Sequence, residues 1–174
     1  WMFVIGGLIS ILSLAVSFLV FPTSVGLFTT FLITFAMTPF MVNLITYEEA
    51  KEEEEIKRKM QLNFLQRHRD TLLIYTAFFA GVIVFMSVAF VILPQDVVQN
   101  IFENQINEIK LIRGSAIFAD TFQRIVINNS GVLLISFLFS FLFRAGAIFI
   151  FAWNASVLAT AIGLTAQSIG GLKG

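Results

Sequence analysis

His68, the single histidine of the chain, is the residue whose type most readily suggests catalysis or metal binding. It stands between Arg67 and Arg69, with Asp70 as the nearest acid in the sequence. A metal site needs several ligands and acid–base catalysis needs a positioned partner, so an isolated histidine predicts neither. We interpret His68 as an interfacial side chain with no catalytic role, and a pH sensor is the alternative.

Other catalytic residue types are scarce. The chain has no cysteine, which excludes disulfides, thiolate nucleophiles and cysteine-ligated metals. Its apolar segments contain no paired carboxylates and no serine or threonine beside a candidate base. Eleven basic residues balance eleven acidic ones, so a nucleic-acid partner has no electrostatic footprint to use. We therefore expect a protein that is not an enzyme and that binds neither a cofactor nor a metal.

The composition indicates a membrane protein. Hydrophobic residues make up 57% of the 174 residues and charged residues only 13%, whereas soluble domains have about 45 to 50% and about 25%. A membrane-spanning helix needs about 20 mostly apolar residues. Five stretches meet this length: 2–21, 25–47, 71–93, 125–143 and 145–165. The predicted fold is all-α, a polytopic transmembrane helical bundle that forms a single domain.

Two details of this bundle remain open in the sequence. Pro39 lies inside the second span and predicts a kink, because proline removes one helical hydrogen bond. Only Arg144 and its neighbours separate the last two spans, so residues 125–165 form either a helical hairpin or one helix bent near Gly146 or Asn154. The chain begins with Trp1, and we expect it to be part of a longer protein.

The connectors predict the orientation in the membrane. The first connector, 48–70, is richer in lysine and arginine than the second connector, 94–124. Because basic residues are retained on the cytoplasmic side, we expect the first connector to be cytoplasmic in a plasma-membrane protein, and the second to lie outside. Arg144 would then lie at the inner face.

Both connectors have helical patterns. In the first, acids precede bases by four residues at Glu53–Lys57, Glu54–Arg58 and Glu55–Lys59, the favourable order for ion pairs along one helix. An apolar stripe on the same predicted helix could meet lipid or a partner helix, although a solvated link is the alternative: Ile56, Met60 and Phe64. The second connector predicts an amphipathic helix near the outer membrane surface.

Polar residues within the apolar segments are the remaining candidates. Arg144 is a functional candidate if it is buried at membrane depth, and otherwise its side chain extends to the interface. We expect the Asn154 amide to bond another helix, and Asn128 and Asn129 to cap the fourth span. Small residues also recur at helix-packing spacing, within one chain or in a dimer: Gly6 with Ser10, Ser13 with Ser17, and Ala155, Ala159 and Gly163.

The last third of the chain, INNSGVLLISFLFSFLFRAGAIFIFAWNASVLATAIG, resembles the stage II sporulation protein M family. An asparagine pair opens a long apolar segment, a glycine-containing break follows, and then an asparagine precedes small residues and glycine. The matching positions are Asn128, Asn129, Gly146, Asn154, Ala155 and Gly163. The opening hairpin and charged connector resemble archaeal members. Arg144 departs from this pattern, where an apolar or small residue is expected, and so does the long charged connector.

The resemblance implies a polytopic membrane protein without known catalysis. In spore-forming bacteria, the family member anchors a complex that remodels septal peptidoglycan while partner subunits hydrolyse it. We therefore expect a membrane scaffold or anchoring subunit, in a homo-oligomer or a complex with other membrane proteins. The alternative is a transporter or channel subunit whose polar path includes Arg144, Asn154 and Gln167.

Overall fold

The computed structural model describes residues 1–58, 63–113 and 146–170, together with the isolated positions 123, 127, 130 and 134. These residues form helices and no strand. The helices are α1 Met2–Val20, α2 Val25–Lys57, α3 Phe64–Arg67, α4 Arg69–Ile92, α5 Gln95–Ile101, α6 Glu103–Arg113 and α7 Gly146–Ile169. The predicted all-α class is confirmed.

Four of these helices, α1, α2, α4 and α7, are long and apolar enough to cross a membrane. Their outward faces carry large apolar side chains, such as Leu12, Leu19 and Phe35, which are exposed and which only lipid or another apolar surface can cover. The chain is therefore a membrane protein. Apart from the isolated positions 127, 130 and 134, the predicted span 125–143 lies outside the described residues, and so does the choice between a hairpin and a bent helix.

The two predicted connectors contain more helix boundaries than their patterns predict. α2 does not end with its apolar segment near Tyr47 but continues to Lys57, and it also continues through Pro39. The expectation of one helix over the first connector is wrong, because α2 ends at Lys57 and α3 begins at Phe64. The second connector bends at Phe102, which separates α5 from α6.

The four long helices pack in the cyclic order α1, α4, α7 and α2. The closest approach joins α1 to α4, where a Cβ atom on Gly81 would overlap the carbonyl oxygen of Phe3. Only glycine permits two helix backbones to come this near. The predicted small-residue faces of α1 and α7 are buried within the chain, so they pack helices of one subunit together.

α4 and α7 run in parallel. In their first halves, the ring of Phe79 lies 4.6 Å from that of Phe151. Near their ends, the Gln167 side chain donates a hydrogen bond to the carbonyl oxygen of Phe90 (3.2 Å). The start of α7 therefore lies on the same side of the bundle as the first connector, which is the relative direction that the five-span prediction requires.

The second connector packs against this bundle. Its helical periodicity is confirmed, but its apolar face is covered by protein: Val98, Ile101, Phe102, Ile106 and Ile109 are all buried. The Phe102 ring packs on Phe90 at 5.0 Å, and α6 contacts both α2 and α7. α2, α4 and α7 therefore provide the apolar surface that covers this face, and the position of the connector near the outer membrane surface stays a prediction.

Candidate functional site

The most distinctive charged structure is the stalk, which we define as residues 48–58 of α2 together with α3. The apolar part of α2 ends near Tyr47, and ten further residues continue the helix to Lys57. At 1.5 Å per residue this extension is about 15 Å long. α3 lies beside it and leads directly into α4. The stalk is thus a helical projection from the end of the bundle.

Ion pairs between the two helices fix the stalk. The Arg67 guanidinium lies 2.9 Å from a Glu52 carboxylate oxygen and 3.2 Å from one of Glu55. Lys51 donates a hydrogen bond to the backbone carbonyl of Arg67 at 3.3 Å. Glu55 and Arg67 are largely covered, so these pairs are less screened than ordinary surface ion pairs. They hold α3 against one face of α2.

A second contact lies at the base of the stalk. His68 Nδ1 is 3.2 Å from a carboxylate oxygen of Glu48, a residue only 8% exposed. Burial raises the pKa of the Glu48 carboxyl, but the Thr71 hydroxyl, His68 and the Lys51 charge outweigh it, so the pKa lies below its ordinary value. The expectation that His68 lacks an acidic partner is therefore wrong. Among the described residues, no group of three or more potential ligands surrounds this pair.

The outer end of the stalk exposes apolar side chains. Ile56 is 60% exposed, Phe64 70% and Leu65 69%, and we call these three residues the tip patch. The Phe64 ring contacts the His68 ring, with the two ring centroids 4.8 Å apart. Ile56 and Phe64 belong to different helices, so the predicted single stripe is wrong, although both residues are exposed. Met60 lies outside the described residues.

Two of the predicted ion pairs within α2 are confirmed. Glu54 and Arg58 approach to 2.6 Å, and Glu53 and Lys57 to 3.7 Å. Glu55 instead faces Arg67, and Lys59 lies outside the described residues.

A new helix begins after Asn63, whose N–H donates to the Gln66 side chain at 3.2 Å. This contact, typical of helix starts, explains why one helix does not continue through the whole connector.

The polar side chains of α7 mainly form hydrogen bonds within this helix or to neighbouring helices. Asn154 donates to the carbonyl of Ile150 in its own helix at 2.9 Å, and the expected bond to another helix stays a prediction. Ser156 instead accepts a bond from the fully buried Gln105 of α6 at 3.2 Å. Gln167, which was a candidate for a polar path, ties α7 to α4.

The positions that carry the family resemblance are only partly described. Gly146 begins α7, Ala155 is buried, and Gly163 packs against the Phe90 ring. Asn128, Asn129 and Arg144 lie outside the described residues. The three described glycine and alanine positions therefore lie along one helix, and two of them contribute to its packing.

Comparison with protein-family models, with curated proteins and with solved structures finds no significant match. The resemblance to the stage II sporulation protein M family therefore stays a prediction from the sequence.

The contacts of the stalk follow a signal that was available in the sequence. Glu48 is the first charged residue after one apolar span, and His68 lies three residues before the next. Two antiparallel helices that leave the membrane together bring such residues to the same height. The Gln105–Ser156 contact has no comparable signal, because it depends on the second connector folding back onto the bundle.

Proposed function

We propose that this chain is a membrane scaffold, a non-enzymatic anchoring subunit that uses the stalk to hold a partner beside the membrane. The observation that carries the proposal is the tip patch, a group of exposed apolar side chains on a projection fixed by ion pairs. Exposed apolar groups on a fixed support are typical of interaction surfaces. A link that only joined two spans would need neither feature.

The proposal includes a plasma-membrane location with the stalk in the cytoplasm, which the lysine and arginine distribution favours. It also includes the anchoring role that the resemblance to the stage II sporulation protein M family implies, in an oligomer or a complex with other membrane proteins. The transport alternative has less support, because Asn154 bonds within its own helix and Gln167 bonds to α4.

Site-specific photo-crosslinking in intact cells tests the scaffold proposal. A photoreactive amino acid replaces Leu65 in the tip patch, and in a matched chain it replaces Phe35, which is 74% exposed on the apolar part of α2. We expect Leu65 to give a discrete protein adduct, identified by mass spectrometry, and Phe35 to give mainly lipid adducts. The adduct should be lost when Phe64→Ser is combined with the probe.

Expression and stability of each variant are measured in the same membranes, so that a misfolded chain is recognised. If folded chains give no protein adduct from Leu65, the stalk does not hold a partner and the scaffold proposal is wrong.

A further inference from the structure

Pro39 is the only one of the chain's three prolines that lies inside a long helix. It has no N–H, so it cannot donate the usual helical hydrogen bond to the carbonyl of Phe35. The neighbouring Thr38 hydroxyl donates to the carbonyl of Thr34 at 2.7 Å, a kind of bond that often bends helices. Sharp bends in long helices are typical of such positions. The α2 helix continues through Pro39, but its backbone is easiest to bend there.

Both faces of α2 leave room for a change of bend at Pro39. On the outward face, an open groove of about 260 Å³ is lined by residues of α2 itself: Phe31, Thr34, Phe35, Thr38 and Pro39. A change of bend can open or close this groove without displacing another helix. On the face toward the bundle, Met37 and Met41 are buried, and their flexible side chains can adapt to a changed gap. The packing around Pro39 therefore permits more than one bend.

The two parts of α2 that meet near Pro39 are held differently. In residues 25–41, buried residues recur in every turn of the helix. In residues 42–57, the only buried residues are Glu48 and Glu55, and both carboxylates face charged or titratable side chains across the stalk. The outer part of α2 is therefore fixed by packing into the bundle, whereas the inner part, which includes the stalk extension, is held mainly by charge.

The contacts across the stalk form what we call the clamp: Glu48 with His68, and Glu52 and Glu55 with Arg67. From these observations we propose that Pro39 is a hinge and that the clamp holds it at one angle. When the clamp is lost, the inner part of α2 swings about Pro39, so a change of charge pairing in the stalk becomes a movement of α2 relative to the bundle. The hinge does not depend on a bound partner, and it therefore goes beyond the proposed scaffold function.

Spin labels on the full chain in nanodiscs measure the swing. Because the chain has no cysteine, Glu53→Cys labels the stalk and Leu73→Cys labels α4, both at exposed positions. Glu53 lies fourteen residues beyond Pro39, or about 21 Å along a helix. A change of bend of about 20° would therefore move it sideways by about 7 Å. Removing the clamp by Arg67→Ala with His68→Ala should broaden the distance distribution by an amount of this order.

A second substitution assigns the broadening to the hinge. Pro39→Ala, added to the chain without the clamp, should restore a narrow distribution, because alanine supplies the missing N–H and stiffens the helix at this position. Phe40→Ala is the matched control, since Phe40 is the exposed neighbour of Pro39, and it should leave the distribution broad. Thermal unfolding of each variant establishes that the chain remains folded.

Two results would overturn the hinge. A distribution that stays narrow without the clamp would show that packing alone holds the inner part of α2. Equal broadening with and without Pro39→Ala would show that the extension frays within the stalk, because fraying does not depend on a proline further along the helix. Neither result depends on a protein adduct at Leu65, so failure of the hinge would leave the scaffold proposal intact, and absence of the adduct would leave the hinge intact.

Discussion

The two connectors share one sequence pattern and have opposite environments. Both carry apolar residues at helical spacing among charged ones. In the second connector the Phe102 side chain is fully buried, whereas in the first connector Phe64 is 70% exposed. An amphipathic pattern therefore predicts an apolar face but not what covers it. Whether the apolar face is covered depends on whether another part of the folded chain packs against it.

The forces that hold the connectors differ accordingly. The second connector is held by apolar contacts and by Gln105, whose side chain lies so close to α2 that a Cβ atom at Gly26 would overlap it. The first connector is held through carboxylates facing Arg67, Lys51 and His68. One connector is thus fixed by packing, which is insensitive to pH and salt. The other is fixed by charge, and its apolar residues Ile56, Phe64 and Leu65 are exposed.

A matched pair of phenylalanines should give the greatest change in stability. Phe102→Ala should lower the free energy of unfolding by about 3 to 5 kcal/mol, because it leaves a cavity in a packed interface. Phe64→Ala should lower it by no more than about 0.5 kcal/mol, because the side chain is mostly exposed. Reversible unfolding in mixed micelles measures both. Equal losses would show that the first connector is also covered in the folded chain, and the contrast between the connectors would fail.

A smaller change is expected from the charges of the stalk. Arg67→Ala leaves Glu52 and the largely buried Glu55 facing each other without their cation, and should destabilise the stalk by about 1 to 2 kcal/mol. Lys57→Ala removes an exposed pair and should cost less than about 0.5 kcal/mol. Hydrogen exchange of the backbone amides of residues 48–57 measures the loss of stability in both variants. If exchange is unchanged in the Arg67 variant, helix propensity rather than ion pairing holds the extension of α2.

The long helices could be predicted from the sequence because each depends on a local property. The ranges of α1, α4 and α7 follow uninterrupted apolar segments. In lipid, a single apolar segment can satisfy its backbone hydrogen bonds within itself only by forming a helix. The small-residue face that includes Ala155 and Ala159 was also predictable, because close helix packing needs small side chains at this spacing.

The contacts between distant residues could not be predicted in the same way. Charges four apart predicted a single helix through Met60, and Asn63 with Gln66 starts another helix instead. Glu48 and His68 are twenty residues apart; their positions beside two neighbouring spans indicate a similar height, but not that their side chains meet. For Asn154, the sequence could not show that the carbonyl four residues earlier was the available acceptor.

The smallest of the predicted effects is the structural change of the stalk at low pH. Glu48 has a lowered pKa in the folded chain, so the stability that it contributes is present above its ordinary pKa of 4.5 and is lost as the pH falls through the lower folded value. Protonation removes the carboxylate charge that faces Lys51 and the His68 ring. Because the chain has no cysteine, Glu53→Cys and Gln66→Cys can carry spin labels, and their distance distribution should broaden below pH 4.5.

Two controls attribute this broadening to Glu48. Labels introduced by Thr23→Cys and Gln99→Cys, both exposed, should keep their distance distribution at the same pH, because packing holds the second connector. Adding Glu48→Gln to the stalk labels should give a broader distribution at neutral pH and a smaller change in acid. An acid response of the same size in the Glu48→Gln chain would mean that Glu52 and Glu55, through Arg67, hold the stalk without help from its base.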